Sequence, residues 1–167
     1  MPKLIRNGAI VDDQWVLVRD TVEQAELLAS ATNNLIVPLS YWLEHRESLR
    51  QRSGKTGVWL ESNEVPAALG DDWRALDLIA LNFPVFSDGR AYSSARELRL
   101  NLGYKGELRA IGDVLRDQLF YMSRCGFDAF SMRADQNLEI ALGAFKDFTD
   151  GYQASVDKPV PLFRRRS

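Results

Sequence analysis

Eight residues have types and spacing that suit chemistry: Arg90, Ser93, Ser94, Arg109, Asp113, Arg116, Asp117 and Arg133. Arginine presents a planar fork of N–H donors that matches the oxygens of a phosphate or a carboxylate. Ser93 and Ser94 fall where a helix is expected to begin, close to backbone N–H groups with no intrahelical partner. With Arg90, and with Asp88-Gly89 marking a tight turn, they suit binding of an oxyanion. The competing reading is structural. Asp88 or Ser93 caps the helix, and Arg90 pairs with a neighbouring carboxylate.

Arg109 lies inside an expected strand. Alternation places Leu108 and Ala110 on one side and Glu107, Arg109 and Ile111 on the other. An arginine in a covered strand needs a partner, because a lone buried charge is costly. Asp113 and Asp117 are the nearby candidates, one turn apart on an expected helix. Either carboxylate would be a general base if burial raised its pKa. The arginines around them act in the opposite direction. Two readings stand open: an ion-pair network that holds elements together, or an anion site with Arg116 and Arg133 joining it.

Other chemistries fit poorly. Gly54-Lys55-Thr56 resembles the end of a phosphate loop, but Leu49 stands where the pattern needs glycine, and the expected order of helix and strand is reversed. A GxGxxG fingerprint is absent. With one cysteine and one histidine, an internal disulfide, an iron–sulfur cluster and a two-histidine site are excluded. Cys125 reads as a buried thiol at a helix end, and His45 as part of a solvated helix face. Arg109 and Arg116 compete with magnesium for Asp113 and Asp117, so no metal is assigned. No cofactor can be named.

These residues sit in a repeated rhythm of strands and helices. Short apolar runs at 35–37, 58–60, 78–83, 108–111 and 127–130 read as strands, spaced too widely for hairpins. Helical patterns fill 22–31, 41–52, 67–76, 92–102, 113–125 and 135–148. Ser40 is the expected cap of the second, and Gly103 and Gly126 are expected to end the fourth and fifth. The pattern predicts an α/β fold with a mostly parallel sheet of about five strands, as an open sheet or a barrel-like fragment. An eight-unit barrel needs about 250 residues and is too long. The loops after the third, fourth and fifth strands, PVFSDGRAYSSARELR, GDVLRDQ and SMRAD, lie at the strand ends where such sheets bind ligands. Residues 1–19 are expected to be a β-hairpin extension that turns at Asp12-Asp13-Gln14, 20–152 the α/β domain, and 153–167 a flexible Pro/Arg tail.

The 167 residues suit one domain, and 46% hydrophobic content supplies a core. The net charge of −2, with bases interleaved among acids, argues against a nucleic-acid partner. No run approaches a membrane span or a signal-peptide core, so the expected compartment is the cytoplasm. The wide apolar arc of Leu115, Leu119, Phe120, Tyr121 and Met122 is either deeply buried or shared in a homodimer.

The stretches FPVFSDGRAYSSARELR and GYKGELRAIGDVLRDQLFYMSRCGFDAF resemble the bacterial family known as domain of unknown function 934. The resemblance runs from the N-terminal strands to about residue 151, and is most specific over 82–130. It implies a companion role in assimilatory sulfite and sulfate reduction, because family genes commonly lie beside those for sulfite reductase. The family's oxidoreductase label follows from that neighbourhood. It supplies no catalytic residues to carry over. Three functions therefore stand: an accessory protein that binds a reductase component or a sulfur oxyanion, a small enzyme on an anionic substrate, and a non-catalytic structural or interaction domain.

Overall fold

The computed structural model describes residues 2–150, 159–160 and 164–165, with side chains for residues 2–146. Its central strand is β6 (Leu78–Phe83), buried at all six positions. That is the environment which the apolar run predicts for a strand covered on both faces. The other strands of the sheet are β1 (Lys3–Arg6), β2 (Ala9–Asp12), β3 (Val16–Leu17), β4 (Leu35–Pro38), β5 (Thr56–Leu60), β7 (Glu107–Gly112) and β8 (Ala129–Phe130). The eight lie in the order β2-β1-β8-β7-β6-β5-β4-β3. Strands β3 to β8 are parallel, whereas β1 pairs antiparallel with both β2 and β8.

This order dictates the shape. β2 and β3 form opposite edges, yet only residues 13–15 separate them. Eight flat strands would span about 34 Å. The chain from Asp12 to Val16 reaches about 15 Å at most. The sheet therefore curls into a half-barrel, and its edges approach each other across the inner face. Trp15, from the connecting segment, packs on that inner face against Ile36, Trp59, Leu78, Ala80 and Ile111.

The helices cover the outer face. They are α1 (Ala25–Leu28), α2 (Leu39–Arg50), α3 (Arg90–Arg96), α4 (Leu119–Cys125) and α5 (Leu138–Asp150). Val37, Val58, Ile79, Leu81, Leu108 and Phe130 point outward and share the main core with Trp42, Ala95, Leu98 and Met122. The alternation read from β7 holds, with Leu108 and Ala110 in the helix-side core and Ile111 on the inner face.

Several expectations are corrected. The sheet has eight strands rather than about five. The N-terminal hairpin exists, but it pairs β1 with β2 around Asn7 (φ 52°) and Gly8 (φ 79°). Positive φ at both positions gives the turn a twist that matches the flanking strands. Val16 and Leu17 instead pair with β4 at the far edge. Helix α3 begins at Arg90, and a π-helical turn from Glu97 to Asn101 continues it. The pattern at 67–76 gives two 3-10 turns, Pro66–Leu69 and Asp72–Ala75. The pattern at 113–125 gives a 3-10 turn, Arg116–Gln118, before α4, so Asp113 lies outside any helix. Its N–H is committed to the Phe83 carbonyl, 2.8 Å away. Ser40 sits inside α2 instead of capping it. Gly103 and Gly126 have the expected positive φ. In the 153–167 tail, only Pro159–Val160 and Arg164–Arg165 fall within the described residues, as two paired short strands.

Candidate functional site

The loops after β6, β7 and β8 meet at the carboxyl ends of the parallel strands, and Asp113 pins them together. Its Oδ2 accepts the Phe86 N–H at 2.7 Å, and its Oδ1 accepts Arg133 Nη1 at 2.7 Å. Gln118 Nε2 donates to the Phe86 carbonyl at 2.6 Å, and the Arg116 N–H donates to Gln136 Oε1 at 3.1 Å. Both Asp113 oxygens are therefore committed, one of them to a cation. That geometry suits a structural pin, not a general base.

Most of the expected anion-binding arginines are also committed. Arg133 donates from Nε and Nη2 to the two oxygens of Asp135, at 2.7 and 2.9 Å, as well as to Asp113. The hydrogen bonds it donates to Asp135 and then to Asp113 raise its pKa, and Arg133 in return lowers that of Asp135 to about 2. Arg90 pairs with Asp88 at 2.6 Å and donates to Ser62 Oγ at 2.8 Å. These contacts hold the Asp88 carboxyl well below the usual range, with the Arg90 side chain as the first cause. Ser93 and Ser94 are the fourth and fifth residues of a seven-residue helix, and Ser94 is buried. The helix start is therefore at Arg90, not at the serines.

Arg116 and Asp117 are exposed and, unlike Arg90 and Arg133, make no close side-chain ion pair. They make a loose 3.7 Å contact. Together with Leu115, Asp135, Gln136 and Ile140 they line a hollow of about 310 Å³.

Arg109 belongs to the opposite end of the inner face. It is 2% exposed, and its partners are Asp13 and Glu107 rather than Asp113 and Asp117. Nη1 donates to both oxygens of Asp13, at 3.0 and 3.1 Å, and Nε donates to Glu107 Oε2 at 2.9 Å. Nη2 lies 2.8 Å from the same Glu107 oxygen as an ion-pair contact, without a directed hydrogen bond. This network ties the segment that closes the half-barrel to β7. It supports the structural reading of Arg109.

A second polar cluster at the carboxyl ends contains none of the residues singled out in the sequence. Asn82 is 4% exposed, on the inner face of β6. Its Oδ1 accepts Arg19 Nη2 at 3.0 Å, and its Nδ2 donates to Glu61 Oε1 at 2.9 Å. The Arg19 guanidinium lies over the Trp59 ring, 5.1 Å from its centroid. Trp59 Nε1 donates to the Val18 carbonyl at 2.9 Å, which fixes the backbone just before Arg19. Gly112, with φ 92°, makes room for the amide; a Cβ there would stand 2.5 Å from Asn82 Oδ1. One signal was readable in advance: an asparagine in an otherwise apolar buried strand must find polar partners.

Cys125 is buried, and burial pushes its thiol pKa up. His45 is 3.3 Å from Glu44 and packs on Tyr41, on a partly exposed helix face. Lys55 lies in the turn before β5, so no helix start receives the phosphate-loop-like residues. Among the described residues, no group of three or more His, Cys, Asp and Glu side chains is arranged to hold a metal ion. No helix among them is long and apolar enough to cross a membrane.

A comparison with curated proteins finds no match. The family model for a bacterial protein of unknown function (DUF934) matches residues 57–163, from β5 through all the carboxyl-end loops described above. The chain belongs to the DUF934 family.

Proposed function

We propose that the protein is an accessory component of assimilatory sulfite and sulfate reduction, working in the cytoplasm by binding a reductase component rather than by turning over substrate alone. The observation that carries this reading is the state of the carboxyl-end loops. Arg90, Arg133 and Asp113 are spent on internal partners, while Val85, Phe86 and Ile140 are about half exposed beside them. Neutralised charges fix the loop shape, and exposed apolar side chains among them suit a protein partner. The pathway itself rests on the family resemblance. Tyr121, exposed on α4 and bonded to Arg96 at 2.6 Å, is the residue through which a homodimer would form.

Gentle purification from the native host, followed by mass spectrometry and an absorbance spectrum, tests this. Sulfite-reductase components should co-purify with a colourless protein. Their absence, or a retained flavin with turnover by the protein alone, would overturn the reading.

One observation favours an enzyme as the second reading: the exposed Asp117 carboxylate faces the hollow beside Arg116. If Asp117→Asn leaves pathway flux unchanged, Asp117 is removed as a proton carrier.

A further inference from the structure

The mouth of the inner face holds two opposite charges that do not pair with each other. Arg19 comes from the end of β3 and Glu61 from the end of β5. Neither makes an ion pair among the described residues. Each instead bonds to one end of the Asn82 amide. Arg19 uses one of its five N–H donors there. One oxygen of Glu61 remains without a donor among the described residues.

A purely structural arrangement would bring the two charges together, as happens around Arg109. Here a nearly fully buried amide holds them apart, and Gly112 leaves space for that amide. Two bonds of 3.0 and 2.9 Å on one amide put Arg19 and Glu61 within about 8 Å of each other. They are too far apart for an ion pair, and the upper part of that range admits a small oxyanion with a hydrogen bond on either side. The floor is the Trp59 ring, which also holds the guanidinium plane.

We propose that Arg19, Asn82 and Glu61 form a binding site for a small oxyanion that carries a hydroxyl group. The Arg19 fork takes the anionic oxygens. The free Glu61 oxygen accepts the ligand's O–H, so a fully deprotonated oxyanion meets repulsion there. The inference stands on the geometry of the mouth and does not depend on the reductase partner.

Inorganic phosphate is the probe, because at pH 7 it keeps at least one P–OH; sulfate, which has none, is the comparison. Calorimetric titration at low ionic strength is expected to show one phosphate site, with sulfate at least about tenfold weaker. Arg19→Gln should weaken phosphate binding about tenfold or more, and Glu61→Gln should erase the preference over sulfate. The shift of the Trp59 indole N–H resonance should follow the same titration. Arg19 is exposed, so its variant retains the fold, which circular dichroism checks. No binding to the unmodified protein overturns the proposal. So does binding that survives Arg19→Gln, or that is lost only in Arg116→Gln, which would move the site to the outer hollow.

Discussion

Arg109 and Arg19 sit at opposite ends of the same inner face and meet opposite fates. Arg109, at the amino end of the parallel strands, is 2% exposed and contacts two carboxylates. Arg19, at the carboxyl end, is exposed, stacked on Trp59 and bonded to one amide. Burial makes the difference. A guanidinium removed from water must be met by opposite charge, and it then has little left to offer a ligand. A guanidinium held at the surface keeps its donors. An arginine becomes a binding group when the fold orients it without satisfying it.

The largest break of this contrast is Arg109→Met. It leaves Asp13 without its cation and Glu107 with only Arg6, 3.7 Å away, at a cost of about 3 kcal/mol, read from the urea midpoint. Changing Asp13 and Glu107 to Asn and Gln in the same chain should recover much of that loss.

Gly112→Ala is next. It forces a positive-φ position on a side chain and drives a Cβ to 2.5 Å from both Asn82 Oδ1 and the Phe83 carbonyl. The expected loss is about 2 kcal/mol, with displacement of the Asn82 amide visible by NMR.

The carboxyl-end loops should also show acid sensitivity. Asp135 is depressed to about 2 by Arg133, and Asp88 is depressed by Arg90. A depressed carboxylate stabilises the fold above its unfolded pKa of about 4. That stabilisation is lost as pH falls from about 4 through the folded value. Urea midpoints between pH 5 and pH 2 should decline, and Asp135→Asn should flatten part of the decline.

The smallest effect on stability is expected for Arg19→Gln, about 0.5 kcal/mol, because the exposed side chain gives up one hydrogen bond and its stacking on Trp59 while the glutamine amide still carries N–H donors. A large loss would mean that the mouth is built like the base.

Much of the outer architecture was readable locally. The β6 run and the alternation in β7 gave strand faces directly, and the three charged loops were placed at the correct end of the sheet. What escaped depends on long-range pairing. Val16 and Leu17 look like the return strand of a hairpin; only the sheet order shows that they pair with β4 across the molecule. Asn7-Gly8 is a local signal for the true hairpin, and it competes in the sequence with Asp12-Asp13-Gln14. Glu107, two residues before Arg109 on the same face, was a readable partner, but Asp13 lies 96 residues away and reaches Arg109 only because the sheet curls. The mouth escaped for the same reason: Arg19 and Glu61 follow the ends of β3 and β5, Asn82 lies in β6, and no spacing connects them.

The base of the inner face holds the fold, and the mouth is shaped to hold a ligand. Urea unfolding of the unmodified protein, Arg109→Met and Arg19→Gln, each with and without saturating phosphate, tests this most directly. Arg109→Met should lower the midpoint and keep the upward shift that phosphate causes. Arg19→Gln should keep the midpoint and lose that shift. Equal midpoint losses in both variants, with the phosphate shift intact in both, would give the two arginines the same structural role and leave the mouth without a ligand.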